Sequence, residues 1–354
     1  MSDRYHSARH HSARREGILQ RLQKSPFLDR LSATIGAAMT RYSQSKQWLK
    51  DRFVNPPDWP ARPGFREVLR WYKSRPPKQS GFVPPSCPND GRALRENRKT
   101  ATVTWIGHAT LLVQLDGLSI LTDPMFAMRM FTIKRLAPPG VALADLPPID
   151  AVVVSHNHRD HLDESSVRAL GPSVQYVVPL GLAGFFRSRG LPRVHELDWW
   201  QDVTLHANGG TVRITLVPAQ HWSGRGLRDH NQSLWGGFVI ESPTTRMYFS
   251  GDTGYPAAFA EIGRRFPNID YALLPIGAYA PRWFMSPQHI DPEQAVIAFG
   301  ELGAQHFVPM HWGTFQLSDE PLDEPPRLLR TAMGTQADRI LDLAIGETHF
   351  AKHS

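Results

Sequence analysis

Cysteine is almost absent from this chain: Cys87 is the single one in 354 residues. One thiol excludes an intrachain disulfide and a metal site built from cysteine thiolates. A metal here must be held by imidazole and carboxylate, ligands that suit zinc and, less specifically, iron or manganese. Long hydrophobic runs are lacking too. The longest uncharged apolar stretch near the N-terminus is Leu31 to Thr40, diluted by Ser32 and Thr34. A spanning helix needs roughly 20 apolar residues. Arg14-Arg15 superficially matches a twin-arginine export signal, but Arg21, Lys24, Asp29 and Arg30 stand where its apolar region would be. Neither a signal peptide nor a transmembrane helix is expected. The expected location is cytoplasmic and peripheral to a membrane, and the Arg- and Ser-rich start leaves an organelle transit peptide open. No short-period repeat is present.

What is there begins with charge. The net charge is +7, unevenly spread. Residues 1–100 hold 21 Lys/Arg against 8 Asp/Glu, and residues 101–354 hold 19 against 25. A basic arm is joined to a mildly acidic body. Such an arm suits an anionic membrane face or nucleic acid, or is simply a solvated tail. The body lacks an aromatic-basic stripe, which argues against nucleic acid.

Three segments are expected. Residues 1–53 form a basic tail followed by an amphipathic helix. Ser25-Pro26 starts that helix, and Leu28, Leu31, Ile35 and Met39 line one face between basic residues. His6, His10 and His11 in the tail read as solvated. Residues 54–100 are proline-rich and read as an extended strap with little regular structure. Residues 101–354 alternate short apolar strands with helical segments such as Glu164–Leu170, Ala257–Phe266 and Pro292–Leu302, which predicts an α/β or α+β layered domain. Asp116-Gly117 is a hairpin turn between two of the strands.

The chemistry concentrates where the strand Ala151–Val154 ends. His156, His158, Asp160 and His161 lie within six residues. A lone histidine is usually structural, but three with an aspartate just after a buried strand are poorly explained that way. One ion cannot easily use all four of these side chains, whereas two adjacent ions can share them, each needing about four ligands. Partners must come from other strand ends. His221, Asp252 and His311 each follow an apolar strand. Taken singly, each could be a capping aspartate or a core histidine.

The order His-x-His-x-Asp-His, a later His, Gly251-Asp252-Thr253-Gly254 and His311-Trp312-Gly313 resembles the metallo-β-lactamase fold superfamily. Within it, the chain resembles the N-acylphosphatidylethanolamine-hydrolysing phospholipase D family from roughly Thr102 to Phe315. Carrying that resemblance are Thr104-Trp105-Ile106-Gly107-His108-Ala109, Leu121-Thr122-Asp123-Pro124, Glu196-Leu197-Asp198-Trp199-Trp200, Gln220-His221-Trp222, and Pro281-Arg282-Trp283-Phe284-Met285. The resemblance implies a four-layer αββα sandwich with two zinc ions at its edge. It places His156, His158 and His221 on one zinc and Asp160, His161 and His311 on the other. Asp252 bridges both and is counted with His289 as catalytic. Gln288 and His289 fall where the family approaches the substrate phosphate. Arg159 stands where the family carries a tyrosine near the lipid head group, and a guanidinium there can pair with phosphate. His195 and His230 match no family histidine.

The implied reaction is hydrolysis of N-acylphosphatidylethanolamine by a zinc-bound hydroxide, giving an N-acylethanolamine and phosphatidic acid, with His289 or a water protonating the leaving oxygen. The alternatives are a hydrolase of this fold acting on another phosphodiester or a lactone, and a non-catalytic metal-binding scaffold. The expected partners are a phospholipid substrate and an anionic membrane surface, with a homodimer left open and nucleic acid excluded.

Overall fold

Asp116 and Gly117 both take positive φ, the backbone of a two-residue hairpin turn, and they join β2 (Thr110–Leu115) to β3 (Leu118–Thr122). β1 (Thr102–Gly107) pairs antiparallel with β2 on its other side. All seventeen residues of these three strands are buried. A sheet with both faces covered has no polar side to alternate with, so its strands read as near-continuous apolar runs. The computed structural model describes residues 42–351 except 78, 80, 227 and 257. The amphipathic helix expected around residues 25–39, and His6, His10 and His11, lie outside the described residues.

The chain divides into two units, Met1–Arg52 and Phe53–Ser354. In the first, Tyr42 and Trp48 meet edge to face at 5.3 Å. The second carries the sandwich. Its remaining strands are β4 (Ala151–Val153), β5 (Gln175–Pro179), β6 (Val194–Leu197), β7 (Asp202–Ala207), β8 (Gly210–Val217), β9 (Gly237–Glu241), β10 (Arg246–Phe249), β11 (Tyr271–Pro275), β12 (His306–Met310) and β13 (Thr348–Phe350). One sheet runs β6-β5-β4-β3-β2-β1-β13 and the other β7-β8-β9-β10-β11-β12. Each begins as an antiparallel meander and continues in parallel, β3 through β6 in the first sheet and β10 through β12 in the second. Four of these five parallel steps use the helices α3 (Glu164–Leu170), α4 (Ala183–Arg187), α5 (Ala258–Arg265) and α7 (Pro292–Leu302) as crossovers. Val152, Val154, Tyr176 and Val178 of the first sheet form a core with Val167 of α3 and Phe186 of α4. On the other side, α7 packs on β11, α5 and α8 (Glu324–Met333). This is the four-layer αββα sandwich of the metallo-β-lactamase fold.

The strap departs from its sequence reading. It belongs to the second unit and contains two helices, α1 (Phe65–Ser74) and α2 (Arg92–Glu96). No residue of α1 is buried, although Phe65, Val68, Leu69 and Tyr72 recur at helical spacing along one face. Its anchors are side-chain contacts: Trp71 stacks on Phe284 at 4.8 Å and donates its indole N–H to Asp319 at 2.7 Å. Phe284 lies on α6 (Arg282–Met285). Among the described residues no helix is long and apolar enough to cross a membrane.

Strand direction decides where chemistry gathers. β1, β3 and β4 run the same way, as do β8, β10 and β12. Their C-terminal ends therefore open on common edges, and the residues that follow them can converge.

Candidate metal centre

Each functional side chain sits just past one of those ends. His108 follows β1, Asp123 follows β3, and His156 to His161 follow β4. His221 follows β8, Asp252 follows β10, and His311 follows β12. Close contact between the sheets requires Gly251. It takes φ +59, and a Cβ there would sit 2.4 Å from the Cβ of Ser155. That approach sets Asp252 against His156.

The side chains gather into two adjoining groups. In one, ligand atoms of His156, His158, His221 and Asp252 lie within 4.8 Å of one another. In the other, Asp160, His161 and His311 do so together with His108. All seven residues expected from the sequence are therefore brought together. Asp252 touches both groups: its Oδ2 is 3.1 Å from His161 Nε2, 3.8 Å from His221 Nε2 and 4.0 Å from His156 Nε2, and its Oδ1 is 3.1 Å from His311 Nε2. His156, His161, His221, Asp252 and His311 are buried, while His158 and Asp160 are half-buried.

The hydrogen bonds around the groups identify which ring nitrogens face inward. His156 Nδ1 donates to Ser155 Oγ at 2.9 Å, His161 Nδ1 to Asp123 Oδ2 at 2.6 Å, and His221 Nδ1 to the Gln288 carbonyl at 3.0 Å. With Nδ1 committed outward, each Nε2 offers a lone pair inward. His156 Nε2 and His221 Nε2 approach His158 Nδ1 at 2.8 and 3.2 Å, and His161 Nε2 approaches His311 Nε2 at 3.2 Å. Lone pairs converging in a buried space fit a cation at their centre. The donor set, imidazole with carboxylate, fits zinc or a similar divalent ion.

Charge agrees. Burial holds His158 down at about 3 despite the pull of Asp160, so its ring is neutral and able to bind metal. Burial would also lower His161, but Asp252 and Asp160 outweigh it and raise its pKa well above the ordinary histidine value. The carboxylates that draw a proton to His161 would draw a divalent ion in its place. Asp252 stays charged: burial acts against this, and His161 and His311 prevail.

Two residues matter here that the sequence reading used only as family markers. Asp123 is fully buried and accepts from the Ser155 backbone N–H at 2.7 Å, the Ser155 hydroxyl at 2.6 Å and His161. His108 is buried, with its Nε2 3.1 Å from Asp160 Oδ2 and its ring 4.0 Å from that of His311. Both sit in turns after strands, as His221 and His311 do, and that shared placement was the signal available.

The residues expected near the substrate are placed less uniformly. His289 has its Nδ1 3.9 Å from Asp252 Oδ2, and burial lowers its pKa to about 4. Gln288 is buried and its carbonyl orients His221. His289 and Gln288 line a cavity of about 300 Å³ together with His158, Asp160 and Asp252. Arg159 does not join them. Its guanidinium donates to the Arg225 carbonyl at 3.3 and 3.1 Å and lies over the Phe131 ring at 4.6 Å. It lines a separate depression with Met125, Asp163 and Arg225. Arg159, expected near a phosphate, is thus placed outside the cavity lining, held by a carbonyl and an aromatic face. His195 bonds Gln175 at 3.2 Å, away from the centre.

The family segments acquire physical roles. Trp199 donates its indole N–H to the Trp235 carbonyl at 2.6 Å, and Trp235 donates to the Ala219 carbonyl at 3.0 Å, bracing the loop that carries His221. Arg282 donates to the His289 carbonyl at 2.9 Å and pairs with Asp291 at 3.0 Å, bracing the His289 loop.

Comparison with known proteins agrees with this geometry. A model of the β-lactamase superfamily domain matches residues 119–312. The chain is 36% identical over 317 residues to N-acyl-phosphatidylethanolamine-hydrolyzing phospholipase D 1 of Caenorhabditis elegans, covering 81% of this chain and 87% of that protein. It is 30% identical to a metal-dependent hydrolase of Anaeromyxobacter, over 69% of this chain and 85% of that one. The solved structure of Igni18, a metallo hydrolase from Ignicoccus hospitalis, superposes with a TM-score of 0.57 at 22% identity, covering 72% of this chain and all of that one. The chain thus belongs to the N-acylphosphatidylethanolamine-hydrolysing phospholipase D family of the metallo-β-lactamase fold and is a metal-dependent hydrolase.

Proposed function

We propose that the protein is a phospholipase D-type phosphodiesterase that hydrolyses N-acylphosphatidylethanolamine to an N-acylethanolamine and phosphatidic acid, with two zinc ions. The observation that carries this reading is the cavity beside the centre. Trp71, Phe284, Met285 and Leu317 form an apolar wall facing His158, Asp160 and Asp252. An amphiphile with an acyl chain and a reacting polar group fits such a lining.

His156, His158 and His221 would hold one ion, Asp160, His161 and His311 the other, and Asp252 both. Bound there, the ions would supply a water of lowered pKa and neutralise charge on phosphoryl oxygens. The chain's own residues do the rest. Asp123 and Ser155 keep His161 and His156 in the tautomers that face inward. The apolar wall excludes water and fixes the lipid's direction of entry. His289 is neutral near pH 7 and carries one ring N–H, which can hydrogen-bond the leaving oxygen as it gains charge.

A lipid substrate implies a membrane partner. Phe65, Leu69 and Tyr72 of α1 are exposed beside Arg66, Arg70 and Lys73, and Val68 and Trp71 of the same helix line the cavity. Exposed aromatic and basic residues on one helix favour an anionic bilayer face, which would bring the surface to the cavity mouth.

One experiment tests both parts. The metal-loaded protein is given N-acylphosphatidylethanolamine in anionic vesicles, a short-chain monomeric analogue, a lactone and RNA, and the products are read by mass spectrometry. The expected result is phosphatidic acid and N-acylethanolamine, formed faster on vesicles than on the monomeric analogue. Turnover of the lactone or RNA alone would refute the phospholipase reading.

A further inference from the structure

Beside the proposed ions, a cationic side chain in the cavity would add a directed contact to an anionic substrate, and Arg159 does not line that cavity. Arg62, from the strap, is the cationic side chain among the described residues lining that cavity, together with His158, Asp160, Asp252 and His289. Its guanidinium lies 3.7 Å over the Trp222 ring. Trp222 in turn meets the His158 ring edge to face at 4.1 Å. The guanidinium therefore stands one aromatic layer from a metal-binding histidine.

Arg62 is also under-used. Its Nη1 donates to Nδ1 of His230 at 3.2 Å, and no Asp or Glu among the described residues pairs with it. Other arginines nearby are committed: Arg282 to Asp291 and Gln294, Arg225 to the carbonyls of Asn157 and Leu162, and Arg159 to the carbonyl of Arg225. Arg62 keeps an exposed outer side, yet it packs closely enough that burial lowers its pKa below the usual arginine value. A partly desolvated guanidinium with most of its donors free favours an anion. Stacking on Trp222 and the bond to His230 fix the plane of the fork, so less freedom is lost when two N–H groups meet two oxygens.

We infer that Arg62, held by Trp222 and His230, is the substrate-binding cation of this site and pairs with the non-bridging oxygens of a phosphodiester monoanion. The inference rests on the phosphodiesterase reading and extends it to a residue the family motifs do not mark. It also gives His230 a positioning role.

The test is binding rather than turnover. Diethyl phosphate (a monoanionic diester), triethyl phosphate (its neutral counterpart) and inorganic phosphate are titrated into the metal-loaded full chain and followed by ligand NMR. Arg62→Met keeps a stem on Trp222 and removes the charge, and Arg62→Lys keeps the charge without the fork. With metal content equal to wild type, Arg62→Met should weaken diethyl phosphate about tenfold to thirtyfold, the loss expected for a charged hydrogen-bonded pair. Arg62→Lys should fall between, and triethyl phosphate should be unaffected. Unchanged diethyl phosphate binding in Arg62→Met overturns the inference. Equal loss of the neutral triester would mark Arg62 as a mere latch for the strap, and loss of inorganic phosphate alone would overturn the diester assignment. If wild type binds diethyl phosphate through Arg62 but releases no phosphatidic acid from lipid, the phospholipase reading falls and the Arg62 contact stands.

Discussion

Asp252→Asn is expected to leave a folded protein with no measurable hydrolysis and less than half the wild-type metal. Asn has the same shape, so the tight turn after Gly251 and its packing against Ser155 survive. What changes is charge. The Asp252 carboxylate reaches both groups, with Oδ2 toward His156, His161 and His221 and Oδ1 toward His311. An amide has a single weak acceptor and cannot serve two cations. If two ions are held there as proposed, their loss would return a bound water from a pKa near 7 toward about 15.7, so the rate should fall by more than about a thousandfold. Steady-state kinetics and metal analysis on one sample check this, with a thermal melt to verify folding. Activity within about tenfold of wild type, where loss of the ions predicts far more, would refute the bridging role.

Asp123→Asn is expected to weaken metal binding about tenfold to a hundredfold, the range for partners that orient ligating histidines. Asp123 touches neither inward-facing nitrogen. It accepts from His161 Nδ1 directly and from the Ser155 hydroxyl, which itself accepts from His156 Nδ1. One carboxylate thus sets the tautomer of a histidine in each group. Burial raises its pKa, while the hydrogen bonds from His161 and Ser155 pull the other way and hold the carboxylate in place. An amide NH₂ turned toward His161 would favour the tautomer with the proton on Nε2, which blocks metal. Titration against a fluorescent zinc indicator should show both ions weakened, and excess metal should restore most activity. If affinity is unchanged, the tautomer argument fails.

Much of this centre was legible in the sequence because its ligands follow apolar strands. The strand ending at Val153 announces His156 to His161, and the helices Glu164–Leu170 and Pro292–Leu302 appear where their patterns place them. A run of buried residues is a strong signal, and side chains at the ends of such runs are forced toward one edge. The parts that were not legible depend on partners distant in sequence. α1 is held by Trp71 on Phe284 and Asp319, while Phe65, Leu69 and Tyr72 of its apolar face stay exposed. The edge strands Val194–Leu197 and Asp202–Ala207 are only partly buried and gave weak patterns. Arg159 looked available for phosphate because the sequence does not reveal that the Arg225 carbonyl and Phe131 hold it elsewhere. Arg62 is one of many Lys and Arg residues in the first hundred positions, and only the fold sets it over Trp222.

The central claim is that His156, His158, Asp160, His161, His221, Asp252 and His311 form one centre for two catalytic ions. The most direct measurement starts from metal-stripped protein and adds zinc stepwise, recording bound zinc per chain and hydrolysis of N-acylphosphatidylethanolamine in the same samples. The account predicts no activity without metal and a rise that saturates as the second ion binds. Full activity in the stripped protein, or saturation with no zinc bound, would contradict it.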